Sequence, residues 1–224
     1  PVVLIAGLIW SFGPLVVRYM NDPHLIPWQY IFGRGLTIFI LLNLYLFFEE
    51  GKNFYKNYFK IGISGLIGGS GLGIAMISFM FSITNTSAAI TLLCLAAMPF
   101  FTALLAFLFL KEKISLNVWV SIIIATIGIG IMAAGNTSDA SLIGFVFGMT
   151  SSIGFAVFSV SLRWRTETPK FTTTAFAGFF CFTFATIVIL SNDYVFFATS
   201  YNSSLFSLHG TLVCLGLILY SIGS

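Results

Sequence analysis

The chain has 224 residues, of which 58% are hydrophobic and only 8% are charged, whereas soluble domains carry about 25% charged residues. The net charge of +3 does not indicate nucleic-acid binding, because the basic residues form no patch with interleaved aromatic side chains. Apolar runs of about 18 or more residues recur along the chain, and each predicts a membrane-spanning helix. Because these runs are continuous rather than alternating, they favour helices over a barrel. The sequence therefore predicts an all-α polytopic membrane protein.

Eight spans are predicted in chain order, separated by short polar loops. They are Val2–Val17, Pro27–Phe48, Ile61–Phe81, Ser87–Leu110, Leu116–Ala134, Leu142–Leu162, Phe171–Leu190 and Leu205–Ser224. The polar segment Gly135–Asp139 is turn-like. The sequence begins inside an apolar run and stops inside the eighth span, so we expect both ends to be truncated. The three cysteines lie within apolar runs and suggest neither a disulfide framework nor a metal site.

The distribution of lysine and arginine predicts the orientation in the membrane. The loops after spans 2, 4 and 6 hold eight basic residues: Lys52, Lys56, Lys60, Lys111, Lys113, Arg163, Arg165 and Lys170. The loops after the odd-numbered spans hold only Arg18. Positively charged loops remain in the cytoplasm, so we expect the N-terminus and the even-numbered loops to be cytoplasmic.

The stretch from Thr84 to Lys113 carries a resemblance to a known family. A polar entry, Thr84–Ala89, leads into a helix that contains Pro99 near its middle, and Glu112 follows thirteen residues later. This pattern resembles the fourth helix of an EamA-type repeat in the drug/metabolite transporter superfamily. The resemblance implies ten helices arranged as two inverted five-helix repeats. Residues 1–134 would form the first repeat, and residues 142–224 an incomplete second repeat with spans 6–8.

The same resemblance implies a membrane transporter rather than an enzyme. Its substrate would be a small organic metabolite, such as an amino acid or related amphiphile, exported by alternating access across the bacterial inner membrane. The expected partners are this substrate and membrane lipid, without a cofactor or metal. One alternative is a nucleotide-sugar or sugar-phosphate exchanger that uses Arg34. Another is an integral membrane enzyme acting on lipid, but the sequence shows no nucleophilic or charged cluster at membrane depth.

Several small polar or aromatic residues recur at helical spacing and predict a mildly polar substrate cavity. Inverted repeats place such a site near the membrane midplane, and proline breaks expose carbonyl groups to it. The candidates are Trp10 and Pro14 in span 1, Ser70 and Ser78 in span 3, Ser87, Thr91, Cys94, Met98 and Pro99 in span 4, and Ser152, Phe155 and Ser159 in span 6. The alternative is that the serine and threonine hydroxyls bond their own helix backbone.

Three charged or titratable residues are interpreted separately. Arg34 lies inside span 2, where a charge costs about 2.5–3.5 kcal/mol at a helix centre. It either has a structural role, with the possibility of snorkelling to the outer interface, or contacts an anionic substrate. Glu112 is expected to act as an interfacial anchor or ion pair. His209 is placed near the start of span 8 and could titrate near neutral pH.

Small residues at four-residue spacing predict close helix packing in two spans. Span 3 contains Gly65, Gly69 and Gly73, and span 6 contains Gly144 and Gly148. These faces either pack tightly or slide against each other between transport states.

Overall fold

The computed structural model describes residues 2–135 and 141–223, and within them every regular element is a helix. Among these described residues, six helices are long and apolar enough to cross a membrane, and the apolar segment Leu4–Arg18 is a shorter one. The all-α polytopic prediction is therefore confirmed. Most of the predicted turn Gly135–Asp139 lies outside the described residues, as do Pro1 and Ser224.

Span 1 consists of two short helices, α1 (Val2–Ser11) and α2 (Gly13–Arg18), with the turn residue Phe12 between them. Pro14 stands in the first turn of α2, where its missing N–H is tolerated. The break therefore lies just before the proline, as the ring's clash with the preceding turn requires.

Span 2 is the helix α3 (Pro27–Glu50), which also has a proline in its first turn. A 3-10 segment (Gly51–Lys60) follows, and then α4 (Gly62–Asn85), which covers span 3. Both predicted spans are present as helices longer than expected, because α3 continues through Glu50 and α4 through Asn85.

Span 4 is divided into three segments: α5 (Ala88–Ala96), α6 (Met98–Leu105) and a π-helical segment (Ala106–Leu110). The side chain of Ser87 caps α5 by accepting a hydrogen bond from the Ile90 N–H. At the break, the Ala97 N–H turns back to the Cys94 carbonyl, three residues earlier, at 3.1 Å. Pro99 occupies the first turn of α6. Lys111 then takes a left-handed conformation with φ 57° and ends the span.

Four further helices complete the described chain: α7 (Leu116–Gly135), α8 (Leu142–Trp164), α9 (Lys170–Ser191) and α10 (Ser200–Gly223). The start of α10 differs from the prediction of Leu205, because the Thr199 hydroxyl accepts a hydrogen bond from the Asn202 N–H and caps the helix earlier. His209 is consequently the tenth residue of α10, about 13 Å along the helix axis from its first residue.

The helices form two compact units. The first unit comprises Pro1–Gly69 and Glu167–Ser224, and the second comprises Ser70–Thr166. In the first unit, α3 packs extensively on α9, while α10 packs on α1, α2 and α3. In the second unit, α8 packs on α5 and α6. The prediction of two repeats at residues 1–134 and 142–224 stays a prediction.

Candidate functional site

A cavity of about 390 Å³ lies in the second unit, beside the proline break of span 4. Its polar lining residues are Thr102, Glu112, Lys113, Ser115 and Arg163. Its apolar lining residues are Pro99, Ala103, Ala106, Ile114 and Val118. Ligand pockets typically measure about 300–1,000 Å³ and combine apolar walls with a few polar groups. The cavity therefore has the size and lining of a site for a small ligand.

The local sequence explains why this cavity forms next to span 4. The break before Pro99 and the π-helical segment Ala106–Leu110 interrupt the regular helix at both ends of α6. π-Helical turns occur frequently at functional sites. The left-handed Lys111 then directs the chain into residues 112–115, and the Glu112 N–H bonds the Ala106 carbonyl at 3.3 Å. Glu112 and Lys113 consequently line the same cavity as side chains of α6.

The charged pair at the cavity is only partly covered. Arg163 Nη1 donates to Glu112 Oε2 at 3.0 Å, and the two side chains are 46% and 45% exposed. The ion-pair alternative for Glu112 is thus the one observed. Exposed pairs of this kind contribute about 0–1 kcal/mol to stability. Opening the pair to admit a ligand therefore costs little.

The predicted polar face of α5 contacts α4 and α8 within the second unit. Thr91 Oγ1 lies 3.0 Å from Ser82 Oγ, and Ser82 Oγ donates to the Gly144 carbonyl at 2.8 Å. Ser152 Oγ donates to the Cys94 carbonyl at 2.5 Å. A Cβ added at Gly148 would lie 2.8 Å from the Cys94 Cβ. The structure thus brings Thr91, Cys94 and Ser152 together with Gly144 and Gly148 of α8.

The remaining candidates of the second unit differ in burial. Ser78 is buried, Ser70 and Met98 are half-buried, and Phe155 makes an edge contact with Phe158. Ser159 is buried on α8. Among the predicted cavity residues, Pro99 lines the cavity of about 390 Å³. The assignment of the others to a substrate cavity stays a prediction.

The first unit contains a buried polar cluster of Tyr30, Arg34 and His209, which we call the Arg34 cluster. Arg34 is 3% exposed; its Nη1 donates to the Tyr30 hydroxyl at 3.0 Å, and its guanidinium lies 4.9 Å from the centre of the Tyr30 ring. The same hydroxyl lies 2.5 Å from His209 Nδ1. Arg34 therefore does not snorkel to the surface, and it is held inside the unit by Tyr30.

The Arg34 cluster reaches the break in span 1. A Cβ added at Gly13 would lie 2.7 Å from His209 Nε2, so the absence of a side chain at Gly13 makes room for the imidazole ring. Pro14 is buried beside Gly13. Trp10, the other candidate of span 1, contacts α10 instead: its Nε1 donates to the Val213 carbonyl at 3.5 Å and its ring lies against Tyr220.

The glycines of α4 and α8 stand where neighbouring elements approach closely. In the first unit, an added Cβ at Gly65 would lie 3.0 Å from Thr173 Oγ1, and one at Gly69 would lie 2.5 Å from a Phe176 ring carbon. In the second unit, one at Gly144 would lie 2.6 Å from Thr86 Cβ. Gly73 is buried. The sliding interpretation of these faces stays a prediction.

Sequence reasoning missed two features of these sites. Tyr30 was not singled out, although it lies four residues before Arg34 and therefore on the same helix face. This four-residue spacing was the signal in the sequence that could have identified Tyr30 as a neighbour of Arg34. The placement of His209 near an interface followed from starting span 8 at Leu205, and a capping threonine at position 199 was the signal for an earlier start.

Apolar helices of membrane length, two of the spans being interrupted at prolines, define a polytopic helical membrane protein. The chain belongs to the EamA-like transporter family, whose sequence profile matches residues 1–134. The EamA prediction is thereby confirmed. The chain is an integral membrane protein of this family.

Two curated relatives come from Helicobacter pylori. An uncharacterized transporter of strain J99 is 26% identical over 164 residues, which are 72% of this chain and 53% of the relative. An uncharacterized transporter of strain 26695 has the same identity and coverage. The chain thus spans about half the length of the curated relatives it matches.

Proposed function

We propose that this protein moves a small organic metabolite, such as an amino acid or related amphiphile, across the bacterial inner membrane by alternating access. The observation that carries the proposal is the cavity of about 390 Å³ at the Pro99 break. Broken helices that border a cavity are the usual means by which transporters present polar groups to a substrate within the membrane. Pro99 is retained as a cavity-wall residue. The two inverted repeats, residues 1–134 and 142–224, are part of the proposal.

The proposed direction is export, with the N-terminus and the loops after spans 2, 4 and 6 in the cytoplasm. The basic residues support this orientation, since eight of them lie in the even-numbered loops. The cavity wall at residues 112–115 then belongs to the loop after span 4 and is accessible from the cytoplasm. A metabolite destined for export would enter there.

Transport is tested with the full-length protein in proteoliposomes. Vesicles loaded with one unlabelled compound are diluted into the same labelled compound, and counterflow accumulation is measured. We expect accumulation with small amphiphilic amino acids and none with sugar phosphates or nucleotide sugars. Accumulation of the phosphorylated compounds alone would replace the metabolite proposal with the exchanger. No accumulation of any compound would contradict both.

Orientation is tested with single cysteines in a background that lacks Cys94, Cys181 and Cys214. One cysteine replaces Asn53, in the 3-10 segment after α3. The other replaces Val195, which is 72% exposed. Asn202, in the same predicted loop as Val195, is not used for labelling because it is buried and its side-chain amide donates a hydrogen bond to the Asn21 carbonyl. In intact cells an impermeant thiol reagent should label position 195 and not position 53. The reverse pattern would contradict the proposed orientation.

A further inference from the structure

His209 in the first unit is a buried titratable side chain that the proposed transport path does not use. It is 3% exposed and is the tenth residue of α10, well inside a membrane-spanning helix. A histidine in unperturbed surroundings changes its charge between about pH 5 and 8. Ionisable side chains inside membrane spans commonly mark proton or ion pathways. A proton gained or lost at His209 would change a charge inside the first unit.

The hydrogen bonds of the Arg34 cluster assign a role to each ring nitrogen of His209. A guanidinium only donates, so the Tyr30 oxygen accepts the bond of 3.0 Å from Arg34 Nη1. The hydroxyl proton of Tyr30 is then directed at His209 Nδ1, which lies 2.5 Å away. In a neutral imidazole one nitrogen accepts while the other carries the proton, so Nε2 carries it here. Nδ1 is consequently the nitrogen at which a further proton would bind.

A proton on Nδ1 would disturb the contact between α10 and α3. A protonated Nδ1 cannot accept from Tyr30, so this hydrogen bond must reverse or be lost. The imidazolium would also repel the Arg34 guanidinium, which has the same sign of charge and shares the Tyr30 hydroxyl with it. Glu49 and Glu50, the carboxylates of α3, lie about 22 Å or more further along that helix from Arg34. A protonated ring is therefore pushed away from α3.

The other helices that pack on α10 bring no carboxylate to offset this charge. Within the described residues, α1, α2, α9 and α10 contain neither aspartate nor glutamate. Their titratable side chains besides His209 are Arg18, Lys170, Cys181, Tyr201, Cys214 and Tyr220. None of these is an anion in its ordinary state near neutral pH.

The other edge of the imidazole lies against the break in span 1. A Cβ added at Gly13 would lie 2.7 Å from His209 Nε2 and 3.1 Å from its Cε1. Gly13 begins the six-residue helix α2, directly after the turn residue Phe12. A ring displaced from α3 meets this short helix next to an interruption in the backbone. His209 is thus positioned to transmit a change of charge to the break in span 1.

We propose that His209 is a proton-binding residue that couples its charge to the position of α2. Protonation of Nδ1 displaces the imidazole toward Gly13 and moves α2 relative to α3, and loss of the proton restores the bond from Tyr30. This inference rests on the proposed transport function and adds a proton as a second transported species. The proton would bind Nδ1 from the outside and be released to the cytoplasm as the metabolite moves outward.

The proton site is tested by NMR of the purified full-length protein in nanodiscs, with the histidine rings labelled with ¹³C. The His209 resonance is identified as the signal that disappears in His209→Asn. It should move between two limiting positions within the pH range in which the protein stays folded. A ring that keeps one charge state throughout that range would overturn the proposal.

The coupling is tested by the distance between spin labels in the background that lacks native cysteines. One pair joins Leu15 of α2 to Ile40 of α3, and the control pair joins Ile40 to Ile187 of α9; all three side chains are about half exposed. The Leu15–Ile40 distance should change with the midpoint of the His209 titration, whereas the Ile40–Ile187 distance should not. Titration of His209 without a change in the Leu15–Ile40 distance would overturn the proposal.

A pair of glycine variants tests the contact at Nε2 while His209 is retained. Gly13→Ala places a methyl group against the imidazole, and should shift the midpoints of the titration and of the distance change together. Gly7→Ala in α1 is the matched control, because an added Cβ there meets nothing within 4 Å. Unchanged midpoints in Gly13→Ala would show that the ring does not act on the break, and would overturn the proposal.

Transport separates this inference from the proposed function. In proteoliposomes with an acidic interior, outward proton flow should drive leucine above its external concentration. His209→Asn should abolish this accumulation, whereas His24→Asn, at an exposed loop position, should keep it. Accumulation at the wild-type level in His209→Asn would overturn the proton site and retain transport. No leucine counterflow in the wild type would contradict transport of this amino acid, and the NMR and distance measurements would then decide the proton site alone.

Discussion

Arg34 of the first unit and Arg163 of the second unit are held in opposite ways. In the first unit, Arg34 is 3% exposed, lies against the ring of Tyr30 and donates to its hydroxyl. In the second unit, Arg163 is 46% exposed at a cavity and shares one hydrogen bond with Glu112. Both are charged residues on apolar helices. They differ in whether the protein or an open space surrounds the guanidinium.

This difference in exposure indicates which of the two guanidinium groups is available to a ligand. Removing a charge from water is costly, so a buried arginine is stable only with partners in the protein. Tyr30 fills that role for Arg34, and the structural interpretation of Arg34 is the one its contacts favour. A half-exposed pair keeps most of its hydration and exchanges partners readily. The sequence singled out Arg34 because it lies within a span, whereas the open cavity lies beside Arg163.

The largest expected effect is a loss of folding when a side chain is added at a close helix contact in the first unit. Gly69→Leu should abolish folding or transport, because even an added Cβ would lie 2.5 Å from the Phe176 ring and 3.0 Å from the Thr173 carbonyl. Ala103→Leu in the second unit should fold, because Ala103 lines the cavity. Leu66→Ala is the control on α4, where Leu66 is exposed. Membrane yield and size-exclusion profiles measure the outcome. Wild-type yield for Gly69→Leu would show that the close approach at α9 is not required.

A smaller loss is expected when the Arg34 cluster loses its central hydroxyl. Tyr30→Phe keeps the ring over the guanidinium but removes one hydrogen bond from Arg34 and one from His209. A hydrogen bond to a charged group contributes about 1.5–3 kcal/mol to stability. The thermal unfolding midpoint in detergent should fall, whereas exposed Tyr194→Phe should leave it unchanged. If Tyr30→Phe is as stable as the wild type, the cluster is not structural and Arg34 is again a candidate for substrate contact.

The sequence predicted the spans well because membrane length and continuous hydrophobicity constrain them strongly. Prolines at positions 14 and 99 also indicated the interruptions in spans 1 and 4, since proline removes a backbone donor wherever it stands. The start of α10 was wrong by five residues. Ser200, Tyr201 and Asn202 are polar enough to end a hydropathy window, but Thr199 caps the helix before them.

The candidate site was predictable only in part. Pro99 was selected from its pattern, and Glu112 from its place at the end of span 4. Their proximity to Arg163 depends on the packing of α8 against α6. Arg163 and Glu112 are about fifty positions apart in the sequence. Helical spacing identifies which residues share a face but not which face borders a cavity. The Arg34 cluster was missed for the same reason, because Tyr30 and His209 are 179 residues apart.

A hydroxyl in the second unit provides the next comparison. Ser152→Ala removes the hydrogen bond from α8 to the Cys94 carbonyl of α5. A net loss of about 0.5–1.5 kcal/mol is expected for one hydrogen bond. Ser121→Ala is the matched control, since Ser121 is exposed and bonds its own helix at Asn117. Thermal unfolding of the two variants measures the difference. Equal midpoints would show that α8 is held to α5 by packing at Gly148 rather than by this bond.

The smallest effect on stability is expected at the Arg163–Glu112 pair. Arg163→Gln should change the unfolding free energy by about 0–1 kcal/mol, because the pair is half exposed and water replaces the lost partner. Salt should reduce even this difference, since exposed charges are screened within about 10 Å at 0.1 M ionic strength. Thermal unfolding of the wild type and the variant in low and high salt measures both effects, with Tyr30→Phe as the comparison from the first unit. The Tyr30→Phe loss should persist in high salt, because screening acts weakly on buried groups. A salt-insensitive loss for Arg163→Gln as large as that of Tyr30→Phe would show that Arg163 is structural like Arg34, and the contrast between the two units would fail.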